Sequence, residues 1–98
     1  MSGSFSKLGL SERNFEVPAT CQALVKKLTD KSEDPKKVKE KLVAEVTKEV
    51  RYWESRWNEA DVYSDHEWKG YSLRMRQELM VWARKYIDTS TIKLESLW

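Results

Sequence analysis

Apolar residues recur along this chain at helical spacing, not at the alternation of a strand. From Asp34 and Pro35 onward, Val38, Leu42, Val46, Val50, Trp53 and Trp57 return every three or four positions, which places them on one face of an α-helix. Asp34 offers an N-cap carboxylate directly before a proline at the first helical position, where a missing N–H costs nothing. The pattern therefore predicts a second helix of about six turns. On its outer side Lys41 and Glu45 form an opposite-charge pair at i, i+4, whereas Lys37 with Lys41 and Glu45 with Glu49 are like-charge pairs. These charges decorate the helix rather than lock it.

Upstream, Val17, Cys21, Leu24, Val25 and Leu28 share one face of a first helix predicted over about 17–31. Pro18 suits its first turn, and Lys26, Lys27 and Lys31 complement the dipole at its end. Downstream, Ser64, Asp65, His66 and Glu67 have the Ser-x-x-Glu spacing of a capping box. Trp68, Tyr71, Met75, Leu79, Trp82 and Tyr86 continue a third helical stripe, widened by Met80, Ala83 and Ile87. Gly70 costs roughly 1 kcal/mol relative to alanine inside a helix, so the start of the helix proper lies either at the box or just past the glycine. Residues 58–63 read as the connection between helices two and three. After Asp88 the pattern breaks, leaving Ile92, Leu94, Leu97 and Trp98 in a terminal segment. Residues 1–16 read as an arm able to dock through Phe5, Leu8, Leu10 and Phe15.

Three amphipathic helices with short loops favour antiparallel neighbours. The expected fold is all-α: an antiparallel up-down three-helix bundle over 17–88, with an N-terminal arm at 1–16. Residues 89–98 form a C-terminal segment that could add a short fourth element. Composition bounds this picture without changing it. Ninety-eight residues make one domain, and three Gly with two Pro are too few for an all-β sandwich. The chain is 35% charged, but 40% hydrophobic content with five Trp opposes disorder. No run of eighteen apolar residues is present, so no transmembrane helix is expected. The net charge of +2 is interleaved along the chain, as on a solvated helical surface. The first ten residues lack the apolar core of a secretory signal, so as written the chain is expected to be soluble and intracellular.

Candidate chemistry points away from catalysis. One His, one Cys, no phosphate-binding glycine loop and no nucleophile elbow leave little for an enzyme to work with. Cys21, with apolar neighbours, reads as a buried inert thiol, and a lone Cys excludes a disulfide framework or a multi-Cys zinc site. Asp61, Asp65, His66 and Glu67 are of metal-ligand type. The capping box accounts for their clustering, and no metal or cofactor is expected. The aromatic residues are more telling. Trp53, Trp57 and Trp82 suit the core, because large rings fill the space between few helices. Tyr52 adjoins Trp53 and cannot point inward with it, and Tyr63, Trp68 and Trp98 lie near helix ends. Such residues, with Arg, dominate binding hot spots.

One resemblance adds to this reading. Trp53, Glu54, Ser55, Arg56 and Trp57 resemble the aromatic-x-Ser-Arg-aromatic end of helix two in the photosystem II eleven-kilodalton assembly protein family. Met75, Leu79, Ala83 and Tyr86 match the spacing of that family's third helix, and the opening at Asp34 and Pro35 also agrees. The resemblance covers about 17–88. The chain departs from the family in lacking a long fourth helix and a lipoprotein Cys near its start, in its Trp-rich core and in a longer connection around 58–69. What the resemblance implies is a non-enzymatic factor that docks on a photosystem II core subunit, with Arg56 and Trp57 at the matched position. It also implies a thylakoid-lumen location if a targeting segment was removed.

The expected function is thus a small interaction or assembly protein with a protein partner in a multisubunit complex. Its candidate partner-binding residues are Tyr52, Arg56, Trp57, Tyr63, Trp68 and Trp98. One alternative is a nucleic-acid-binding module using Arg74, Arg76, Arg84 and Lys85, although acids alternate with these cations. Another is a secreted helical hairpin, suggested by the Trp-x-Gly tripeptide at Trp68, Lys69 and Gly70, which in that family marks the turn near mid-chain.

Overall fold

A computed structural model describes residues 15–97. It is a three-helix bundle: α1 (Ala19–Asp30), α2 (Pro35–Val62) and α3 (His66–Ala83), followed by a 3-10 turn at Thr89–Thr91 and an extended end. Among the described residues there is no strand. The expectations for residues 1–14 and for Trp98 concern positions outside the described residues.

The helix boundaries follow from local chemistry. Pro18 stands just before α1, and its carbonyl accepts the Gln22 N–H at 3.0 Å. The helix ends where Lys31 turns left-handed at φ 54°, its N–H donating to the Lys27 carbonyl. Asp34 caps α2 by accepting the Lys36 N–H at 3.1 Å, with Pro35 at the first turn. At its other end α2 outruns the expectation. Residues 58–62, read as part of a connection, are helical as far as Val62. No Gly or Pro interrupts that stretch, and buried Ala60 continues the stripe three positions after Trp57.

The capping box does not form. With α2 prolonged, the chain must reverse within Tyr63, Ser64 and Asp65, and Ser64 takes the left-handed conformation at φ 57°. An N-cap residue normally has extended geometry, so the role passes to Asp65, whose Oδ1 accepts the Trp68 N–H at 3.1 Å. Gly70 lies inside α3 rather than before it, and a Cβ there would meet nothing within 4 Å. At the far end α3 stops at Ala83, short of Tyr86 and Ile87, which follow in a turn.

α2 is the spine. Its 28 residues span about 42 Å. α1 and α3 both pack on it. Val38, Leu42, Val46 and Val50 are fully buried and join Cys21, Leu24, Leu79, Met80, Ala83, Ile87 and Ile92 in one cluster. Among the described residues no helix is long and apolar enough to cross a membrane.

Candidate interaction surface

Two sites stand out: a charged junction that holds the chain's end in place, and an aromatic tip where α2 turns into α3. The junction centres on Glu54. It follows Val50 by one helical turn, where the buried stripe would place an apolar side chain, and it is only 2% exposed. Its Oε1 accepts from Arg51 Nη1. Its Oε2 accepts from Arg76 Nη1 at 2.6 Å and from the Glu95 backbone N–H at 2.8 Å. The two arginines reach further, Arg51 Nη2 to the Lys93 carbonyl at 2.7 Å and Arg76 Nη1 to the Glu95 carbonyl at 2.9 Å. Residues 92–97 are thereby strapped across α2 and α3, with Ile92 and Leu97 buried beneath. Burial raises the Glu54 carboxyl, but the Glu95 N–H and the hydrogen bonds from Arg51 and Arg76 outweigh it and hold the group below the ordinary carboxylate range.

Arg76 is therefore an internal side chain committed to Glu54, not a neighbour of Arg74 on an outer face. About 200° of helix rotation separates the two. The Arg74 guanidinium lies 5.8 Å from the Tyr71 ring centroid, and Arg84 and Lys85 are exposed in the turn after α3. Arg76 is thus withdrawn from the set of four.

At the tip, Tyr52, Trp53, Tyr71 and Trp68 form a chain of edge-to-face rings, with successive centroids 4.9, 5.7 and 5.5 Å apart. Trp53 is half-buried, while Tyr52, Trp68 and the neighbouring Tyr63 are 50%, 38% and 77% exposed. Arg56, Tyr63 and Trp68 line one depression of about 290 Å³, together with Glu59, Ala60 and Asp65. The Arg56 guanidinium lies 5.8 Å from the Tyr52 ring centroid and pairs with Glu59 at 3.7 Å. Three of the residues singled out in the sequence (Arg56, Tyr63 and Trp68) thus meet around one exposed depression, and a fourth, Tyr52, adjoins it through Arg56. Trp57 does not join them. It is 6% exposed, with Lys69 Nζ held 4.7 Å over its ring by an ion pair to Asp61. Trp57 is core beneath the tip, because the α2 stripe carries it inward and Lys69 closes the top. Trp98 lies outside the described residues.

The remaining candidates have structural roles. Asp61 holds Lys69, Asp65 caps α3, and His66 is exposed. Trp68, Lys69 and Gly70 sit in the first turns of α3, past the interhelical turn. Cys21 is fully buried, and burial with Glu45 and Glu49 nearby pushes its thiol up to about 11. Sequence reasoning passed over Glu54. The available signal was an acid in the apolar register with an arginine three residues before it.

Comparison with known protein families, curated proteins and solved structures finds no match for this chain.

Proposed function

We propose that this chain is a non-enzymatic binding protein that docks through the α2–α3 tip onto a protein subunit of a larger complex. The observation that carries the reading is the gathering of Arg56, Tyr63 and Trp68 around one exposed depression, with the exposed Tyr52 ring beside Arg56. Residues of these types supply most of the energy of protein interfaces. The three-residue turn and the core beneath Trp57 hold them on a rigid base, so little ordering is lost on binding. The resemblance of the Trp53 to Trp57 segment to the photosystem II assembly family supports the same role, and it makes a photosystem II core subunit the partner to try first.

The test is co-purification of tagged protein from its native source, with Tyr63→Ala, Trp68→Ala and the double variant alongside. Each single change is expected to weaken capture of one defined multisubunit complex by about 5- to 30-fold, the range of interface hot spots. Helical content and melting temperature should stay close to those of the parent. Capture should also depend only modestly on salt. A steep loss between low and moderate salt would instead mark a nucleic-acid partner, and capture unaltered in the double variant would sink the tip as the docking site.

A further inference from the structure

The two flanks of the α2–α3 seam are treated unequally. On one flank the C-terminal strap lies over Glu54 and Arg76. About 100° round each helix, beside Trp53 and Met75, a cleft of about 490 Å³ remains open, lined by Trp53, Tyr71, Met75, Leu79, Glu49 and Phe15. Phe15 is a wall of the cleft and also packs against the core. Glu16 and Pro18 line the same end. At the start of α1, Cys21 lies near Glu45 and Glu49 of α2, and Thr20 and Leu24 border a groove with Ala44 and Glu45. Traced backward out of α1, the chain therefore arrives at the mouth of the cleft, heading toward Trp53.

We infer that this cleft is the docking site of the chain's own N-terminal segment, residues 1–14. Phe5, Leu8 and Leu10 supply the apolar contacts, and Lys7 and Arg13 face the acidic rim of Glu49 and Glu16. Length permits it. The floor from Tyr71 to Leu79 is about 12 Å along α3, and fourteen residues reach about 21 Å as a helix or about 46 Å extended. Charge complementarity favours it, since the segment carries two cations against Glu12 alone, while the rim presents two carboxylates. Tethering favours it over any free competitor, because covalent linkage over a few residues gives the segment an effective concentration of about millimolar. Docking would bury the open side of Trp53, which is now half-buried, and would give the cleft flank the cover that the strap gives the other. The inference does not rest on the tip's role in partner binding, which uses other residues.

The test is nuclear Overhauser spectroscopy on the full chain with labelled methyl groups. Contacts are expected from the Met75 and Leu79 methyls to Phe5, Leu8 or Leu10, unchanged on tenfold dilution. They should vanish in a full-length triple variant, Phe5→Ser, Leu8→Ser and Leu10→Ser, with amide protection at Tyr71 and Met75 falling. Three outcomes overturn the inference: no contact from residues 1–14 to Met75 or Leu79, contacts that disappear on dilution and so belong to a second copy, or contacts to Trp68 or Ile92 instead. Capture of a complex through the tip is measured separately, so either idea can fail alone.

Discussion

Glu54 shows how much one side chain can organise. A carboxylate in the middle of an apolar stripe is costly unless its lone pairs are filled, and here two arginines and a backbone N–H fill them. Removing it leaves Arg76 buried beside an empty place. Glu54→Ala is expected to cost about 3 kcal/mol, as for other broken buried pairs, while Glu54→Leu combined with Arg76→Met should recover most of that loss. Denaturant titration of the three proteins checks this, and a single variant as stable as the parent would show that the junction contributes nothing. The pH dependence has a definite sign. The folded carboxyl titrates below its ordinary value of 4.5, so the unfolded chain binds the proton more readily. The stabilisation is therefore complete above about pH 4.5 and is lost as pH falls through the lowered folded value. Glu54→Gln should flatten that part of the acid limb. The periodicity marks Glu54 as an acid in the apolar register but not its remote partners, because Arg76 and Glu95 are distant in sequence. Only Arg51, one turn away, was visible as a neighbour.

At the scale of elements, the three helices were legible because each repeats its apolar face over several turns and two of the three starts carry strong local signals. Val38, Leu42, Val46 and Val50 all proved fully buried. Boundaries were less legible, for a reason that the α2–α3 turn makes concrete. A capping box is a local pattern, but which residue becomes the cap depends on where the preceding helix stops. α2 runs to Val62, so Ser64 is consumed by the left-handed turn and Asp65 becomes the cap. The two residues should consequently respond in opposite directions. Asp65→Ala should cost about 1 kcal/mol, the usual worth of an N-cap. Ser64→Gly should stabilise by about 1 kcal/mol, since glycine adopts positive φ without steric penalty. A capping box at Ser64 would instead make the glycine change mildly destabilising, by roughly a few tenths of a kcal/mol, so the sign of its shift in thermal melts decides between the arrangements. The tip was partly legible for the same reason. Tyr52 could be placed outside by register and Tyr63 and Trp68 by nearness to helix ends, whereas Trp57 suited both core and interface. Register favoured the core, and Lys69 reaching across from α3 to close over the ring was not visible in the sequence.

For the whole molecule, the long spine has a consequence of its own. The radius of gyration is 15.4 Å and the extents are 50 × 27 × 16 Å, against about 12–13 Å for a compact domain of this length. The core is therefore drawn out along α2, and its two ends are not equally secured. The end where α2 turns into α3 is closed by Trp57, Ala60 and Met75, by the capped turn at Asp65 and by the strap on Glu54. The α1 end relies on a helix of 12 residues whose buried side chains are Cys21 and Leu24, a length that is marginal without tertiary support. Local opening should follow that division. In native-state hydrogen exchange, the amides of α1 are expected to open at lower free energy, and with weaker denaturant dependence, than those around Val46, Val50, Leu79 and Ala83. Equal protection in all three helices would show that the bundle opens as one unit. The order matters for the proposed role, because the tip belongs to the better secured end. Loosening α1 would then leave Tyr63 and Trp68 in place, and a destabilising change at Leu24 should lower the overall melting temperature while capture through the tip is retained.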